Sequence, residues 1–107
     1  MKTHFTKSQL KINDWVRELG FQTEMERVFG KYCVDIFIPE LNWAVEVDGS
    51  VGHLKKGDLK RDKYLYLEWK IDNVIHVKNE VGEKEFKEKI LESIGMKFGK
   101  NETEKRS

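Results

Sequence analysis

Two short segments that alternate apolar and polar residues, separated by four loop-forming residues, constrain this chain more than any other feature. Cys33 to Ile38 sets Val34, Ile36 and Ile38 against Cys33, Asp35 and Phe37, and Trp43 to Asp48 sets Trp43, Val45 and Val47 against Ala44, Glu46 and Asp48. A period of two is that of a β-strand. Pro39-Glu40-Leu41-Asn42 between them reads as the loop of a hairpin. With residues 39–42 as the loop, Ile38 faces Trp43, and the register brings Asp35 directly opposite Glu46. Their Cβ atoms are then about 5 Å apart on one face, and Asp48, two residues on, shares that face. Like charges across a ladder repel, and burial raises the pKa of a carboxyl group. A divalent cation removes the conflict, and an all-oxygen donor set suits Mg²⁺ or Mn²⁺ rather than zinc. The plainer reading is the solvent face of an edge hairpin. Phe37 and Ala44 on the same face weigh against it, and the pattern alone leaves both readings open.

The remaining elements follow from periodicity. Residues 8–19 form an amphipathic helix with Leu10, Ile12, Trp15, Val16 and Leu19 on its apolar side, Ser8 as N-cap and Gly20 as its stop. A strand follows near residues 22–28 and ends at Gly30. After a glycine-punctuated stretch from Gly49 to Gly57, Asp58 caps a helix running to about Trp69. Residues 73–77 form a strand. Gly82 to Ile94 form a last helix, with Phe86, Ile90, Leu91 and Ile94 on one stripe and Gly95 as its stop. This order, αβββαβ and a closing helix, predicts an α/β fold: a mixed sheet flanked by helices. One domain spans 1–95, and 96–107 is a polar tail expected to fray.

At 107 residues the chain holds one small core. No apolar run approaches the roughly 20 residues of a membrane span, and the N-terminus shows no secretory signal. Cys33 is the only cysteine, which excludes an intramolecular disulfide and a thiolate zinc site and fits a reducing, intracellular setting. The net charge of +1 does not announce a nucleic-acid binder, so local clustering carries that argument. Lys55, Lys56, Lys60, Arg61 and Lys63 fall within nine positions. Such a run is either a solvated helix face or a phosphate-binding patch.

His53 lies five residues beyond Asp48, between Gly52 and the lysine run. A histidine just past an acidic hairpin is a candidate general acid–base group, since its unperturbed pKa is near 6.5. His76, inside a predicted strand, reads as structural. Arg61 and Asp62 on the second helix read as groups that orient His53, touch a phosphate or form surface pairs. Trp15, Trp43 and Trp69 read as core residues.

The string Asp35-x10-Glu46-Val47-Asp48-Gly49-x3-His53, followed by Asp58-x2-Arg61-x3-Leu65 and the strand Val74-Ile75-His76-Val77, resembles the PD-(D/E)XK nuclease superfamily. Within it, the sequence is most similar to very-short-patch-repair endonucleases, their small bacterial relatives and related phage homing endonucleases. The resemblance spans roughly residues 8–81. It implies a restriction-endonuclease-like core and a Mg²⁺- or Mn²⁺-dependent endonuclease acting on DNA in the cytoplasm of a bacterium or of a phage-infected host cell. It makes Asp35 and Glu46 metal ligands together with the Val47 carbonyl, His53 an aid to water activation, and Lys55, Lys56, Lys60 and Arg61 the nucleic-acid-binding set. Two positions depart from the pattern. Asp48 stands where the superfamily has its lysine, and Gln9 stands where many relatives have a glutamate. A catalytically impaired nucleic-acid-binding protein of the same fold is therefore the alternative. A separate DNA-reading domain has no room in this chain, which leaves homodimerisation or a partner subunit open.

Overall fold

The computed structural model describes the backbone of residues 5–48 and 56–106, and the side chains of 5–48 and 59–95. The order of elements is α1 (Lys7–Glu18), β1 (Glu24–Phe29), β2 (Tyr32–Ile38), β3 (Trp43–Asp48), α2 (Lys56–Glu68), β4 (Asn73–Lys78) and α3 (Glu83–Arg106). The four strands lie in the order β1-β2-β3-β4. β1, β2 and β3 are antiparallel neighbours, and β4 joins β3 in parallel. A tight turn cannot close a parallel pair, and here the return path carries α2. This is the α/β mixed sheet with flanking helices that the sequence predicts.

Each face of the sheet has its own apolar cluster. On one face, Ile12, Trp15 and Val16 of α1 and Phe86 and Ile90 of α3 pack against Ile36, Ile38, Trp43, Val45, Ile75 and Val77. On the other, Leu65 of α2 and Ile71 pack against Phe29, Val34, Phe37, Ala44 and Val74. Burying side chains of this size stabilises by about 1.5–3 kcal/mol each, so the sheet is held from both sides.

The β2–β3 loop falls where the alternation puts it. Leu41 N–H bonds the Ile38 carbonyl, Asn42 takes φ +57, and Ile38 pairs with Trp43. The first helix starts earlier than its apolar stripe suggests. Thr6, not Ser8, is the N-cap, in a capping box with Gln9. Gln9 is buried and Leu10 is exposed, because the capping box turns Gln9 inward. Leu91 likewise faces solvent. Asp58 lies inside α2, which begins two residues before it. Gly95 does not stop α3, which runs on through the expected polar tail to Arg106. A glycine stop requires a left-handed residue, and among the described glycines only Gly20 and Gly30 have positive φ. Trp69 is 43% exposed, an edge-on neighbour of Phe29 rather than a core residue.

Val34 breaks the predicted alternation. It packs with Phe29 and Phe37, on the opposite face from Ile36. The β1–β2 ladder keeps one register on both sides, Met25 with Ile36 and Arg27 with Val34, so no residue is inserted. Between those pairs Glu26, opposite Asp35, has φ +54, a conformation uncommon for a residue with a side chain. The distortion is centred on Asp35.

Candidate active site

The β2–β3 ladder pairs Ile36 with Val45, Phe37 with Ala44 and Ile38 with Trp43. Continued by one step, this register places Asp35 opposite Glu46, as the hairpin predicts. There the bonding changes character. The Asp35 N–H donates to Glu46 Oε2 at 2.8 Å, and the Val47 N–H donates to Asp35 Oδ2 at 2.7 Å. Each carboxylate thus reaches across to the main chain of the other strand.

The two acids are held from opposite sides of the sheet. Gln9 of α1 donates from Nε2 to Asp35 Oδ1 at 2.9 Å. Arg61 of α2 places Nη1 3.0 Å from Glu46 Oε1. Simple alternation put both acids on a single face. They meet instead at the seam between β2 and β3, because the strand distorts at Asp35. Glu46 is only 3% exposed. Burial first, and then the negative charge of Asp35, push its carboxyl group up to about 8, against the smaller opposing pull of Arg61.

Asp48 takes no part in this pair. Its Oδ2 lies 3.0 Å from His76 Nδ1, and His76 Nε2 lies 2.6 Å from Asp62 Oδ2. The parallel β3–β4 register produces this arrangement by placing His76 beside Glu46, two residues short of Asp48. A neutral imidazole has one N–H to give, so satisfying both carboxylates requires a second proton on the ring or on an acid. Asp62 is buried, and its Oδ1 has no hydrogen-bond partner, the Arg61 Nε being 3.9 Å away. A groove of about 400 Å³ opens beside this network, lined by Asp48, His76, Lys78, Glu80, Glu85 and Lys89. Lys89 closes one wall by donating from Nζ to the His76 carbonyl at 3.1 Å.

The expected site is therefore partly assembled. Asp35 and Glu46 come together, and Val47 meets Asp35 through its N–H and not through the carbonyl expected as a ligand, while Asp48 is drawn toward β4. Among the described residues, no three His, Cys, Asp or Glu side chains converge as a metal-binding group. The three-carboxylate cluster expected from the alternation is not formed. His53 and Lys55 lie outside the described residues, as does the side chain of Lys56. Lys60 is exposed on α2. Arg61, assigned by sequence to nucleic acid, meets Glu46 first. His76 and Asp62 were the least legible members, because their meeting depends on which strand β4 joins. The one sequence signal was the adjacent Arg61-Asp62 pair, a cation and an anion one turn before Leu65.

Cys33 carries no comparable chemistry. Burial and a hydrogen bond to Glu26 push its thiol up to about 12, away from the reactive thiolate.

No family model matches the chain, and neither a curated protein nor a solved structure matches it.

Proposed function

We propose that this chain is a divalent-cation-dependent DNA endonuclease that hydrolyses phosphodiester bonds at the β2–β3 seam. The observation that carries the reading is the pair Asp35 and Glu46, one of them almost fully buried, brought together at a distorted strand position. Two carboxylates in contact in a poorly solvated place conflict, and that conflict raises the Glu46 pKa. A hard cation is the partner that relieves it. Both carboxylates and the adjacent Val47 carbonyl are oxygen donors of the kind Mg²⁺ or Mn²⁺ takes, and a bound ion would displace partners that the carboxylates now hold. When bound, such an ion supplies Lewis-acid stabilisation of charge on a phosphoryl group and lowers the pKa of water.

The chain's own residues then have separable tasks. Asp35 and Glu46 hold the ion. Gln9 orients Asp35 without adding a negative charge. Arg61 neutralises Glu46 and, being 21% exposed, stands at the surface where a phosphate would approach. Lys60, exposed on α2, would add positive charge for a phosphate backbone together with Lys55 and Lys56 of the same sequence run, and His53 is the proposed proton acceptor. The nuclease resemblance of the Asp35–His53 string supports the same assignment. A cytoplasmic setting and duplex DNA as substrate are part of the proposal. No described helix is long and apolar enough to cross a membrane.

A second reading keeps the fold and the nucleic acid but drops cleavage. One observation favours it: all four carboxylate oxygens of Asp35 and Glu46 already have protein partners.

Incubation of supercoiled plasmid with the full chain and Mg²⁺ or Mn²⁺ separates the two. Nicking by wild type that is lost in Asp35→Ala and Glu46→Ala is the expected result. No nicking, or nicking undiminished in both variants, would falsify the endonuclease reading. DNA retention without nicking favours the second.

A further inference from the structure

We infer that the β1–β2 turn is a second point of attachment for the DNA backbone, with Lys31 meeting a phosphate and Tyr32 and Tyr64 aiming it. The inference rests on the nucleic-acid part of the reading above and is independent of an ion at the seam.

Lys31 lies outside the lysine run that begins at Lys55, but the fold brings it against α2. Tyr32 and Tyr64 meet edge to face, with ring centroids 5.2 Å apart and planes at 67°. Lys31 places its Nζ 5.5 Å from each centroid. Gly30 permits this approach. It takes φ +64, and a Cβ there would overlap the Tyr64 hydroxyl and crowd Trp69 Nε1. A lysine side chain carries about 2 kcal/mol of rotamer entropy, and a ring beneath the ammonium returns about 0.5–1 kcal/mol at an exposed site. Two such rings offset much of that entropy before a ligand arrives.

Rings attract a cation without neutralising it. The nearby acids of β1 are engaged elsewhere, Glu24 with Arg27 at 2.8 Å and Glu26 with the Cys33 thiol at 3.1 Å. The exposed ammonium of Lys31 therefore keeps its charge for an incoming anion. Both tyrosines are half-buried and lie beneath the lysine, so they orient a cation and do not stack a base.

The turn is also within reach of the seam. Tyr64 follows Lys60 by four residues and Arg61 by three, and residues so spaced are neighbours on a helix surface. Tyr32 precedes Asp35 by three residues on β2, about 10 Å along a strand. A DNA strand advances about 3.4 Å per nucleotide along the duplex, so a backbone crossing the seam reaches the turn within about three nucleotides. Lys60, Arg61 and Lys31 then form one cationic strip. Glu68, one further turn along α2, is exposed and marks its end. Contacts of this kind position a protein on DNA without reading sequence.

Anisotropy of a fluorescein-labelled duplex, titrated with the full chain in EDTA, tests the inference. Lys31→Met is expected to weaken binding about five- to tenfold near 0.1 M salt and to lower the salt slope by about 0.9, the loss of one phosphate contact. The loss should be the same for duplexes of unrelated sequence. Tyr32→Leu should weaken binding less than Lys31→Met and add nothing to it in the double variant. Lys11→Met is the control. Lys11 also stands over a ring, 5.6 Å from the Trp15 centroid, but on α1, across the sheet from α2, and its loss should leave binding unchanged. Circular dichroism confirms that each variant is folded. Wild-type affinity in folded Lys31→Met, or equal losses in Lys31→Met and Lys11→Met, overturns the inference and leaves the nucleic-acid reading intact. A Tyr32→Leu effect that adds in full to that of Lys31→Met overturns the aiming role. No duplex binding by wild type at low salt overturns both the inference and the reading beneath it.

Discussion

The two halves of the β2–β3 hairpin solve the same pairing problem differently. Near the loop, Ile36 to Ile38 and Trp43 to Val45 pair through the backbone, and their side chains enter apolar clusters on both faces. One residue further along, Asp35 and Glu46 replace that ladder with carboxylates bonded to the opposite main chain. The first half is stabilised by dehydration of apolar surface. The second holds a buried acid pair that burial destabilises unless a proton or a cation joins it. The contrast suggests that the loop half supplies the rigidity and the seam half the chemistry, and that each can be perturbed without the other.

The largest effect on that division is expected from Ile36→Ala. Ile36 is fully buried, and truncation of such a side chain costs about 2–5 kcal/mol. Urea denaturation should register that loss, while the Mn²⁺ affinity proposed for the seam should survive in the folded variant. A large fall in affinity at temperatures where the variant is folded would show that the halves are not separate.

Asp35→Asn attacks the other half. It keeps the shape but removes the charge that, after burial, raises Glu46. Plasmid nicking should fall by about a hundredfold or more, as for loss of a site-defining metal contact. The stability of the metal-free protein near pH 8 should hold or rise. A variant that loses stability as steeply as Ile36→Ala would assign Asp35 a scaffold role.

The pH dependence is next in size. Glu46 carries a folded pKa of about 8, raised from 4.5. Between these values the folded state holds a proton that the unfolded chain has released, so this group's contribution to stability falls as pH rises through that window. A divalent ion bound as proposed would displace the same proton, so its apparent affinity should climb across the same range. The difference in urea midpoint between wild type and Glu46→Gln, followed from pH 5 to 9 without metal, isolates the effect. A difference that does not change with pH contradicts it.

Gln9→Ala should have the smallest consequence. It removes one hydrogen bond to Asp35 and half of the α1 capping box, for about 1 kcal/mol by thermal melting. Nicking should fall by about tenfold, as when the support of a ligand is lost. A loss as large as that of Asp35→Asn would make Gln9 a ligand in its own right.

The hairpin was legible because its information is local. Alternation gives the strands, four loop residues give the register, and the register gives the opposition of Asp35 and Glu46. The alternation failed at Val34 because a left-handed residue on the neighbouring strand, Glu26, is invisible to a period count. Likewise, nothing in residues 73–78 says that they pair in parallel with β3, so the link from Asp48 through His76 to Asp62 could not be read in advance. Helix ends were less legible than strand faces. Thr6 caps α1 through a side chain that a hydrophobic stripe does not mark, and Gly95 lies within α3 in a helical backbone that needs no glycine.

The acids, the guanidinium and the imidazole of the seam and its flanking network lie between residues 35 and 76, and from outside that stretch Gln9 bonds Asp35 and Lys89 bonds the His76 carbonyl. The ends of the chain are scaffold in a genetic sense as well as a mechanical one. Recombination that replaced α1 behind Gln9, or all of α3, would pass the acid pair and its guanidinium on together. A breakpoint between residues 48 and 61 would instead hand the carboxylates of one parent to the helix of another. Position 61 is thus where such a chimera would be compatible or fail.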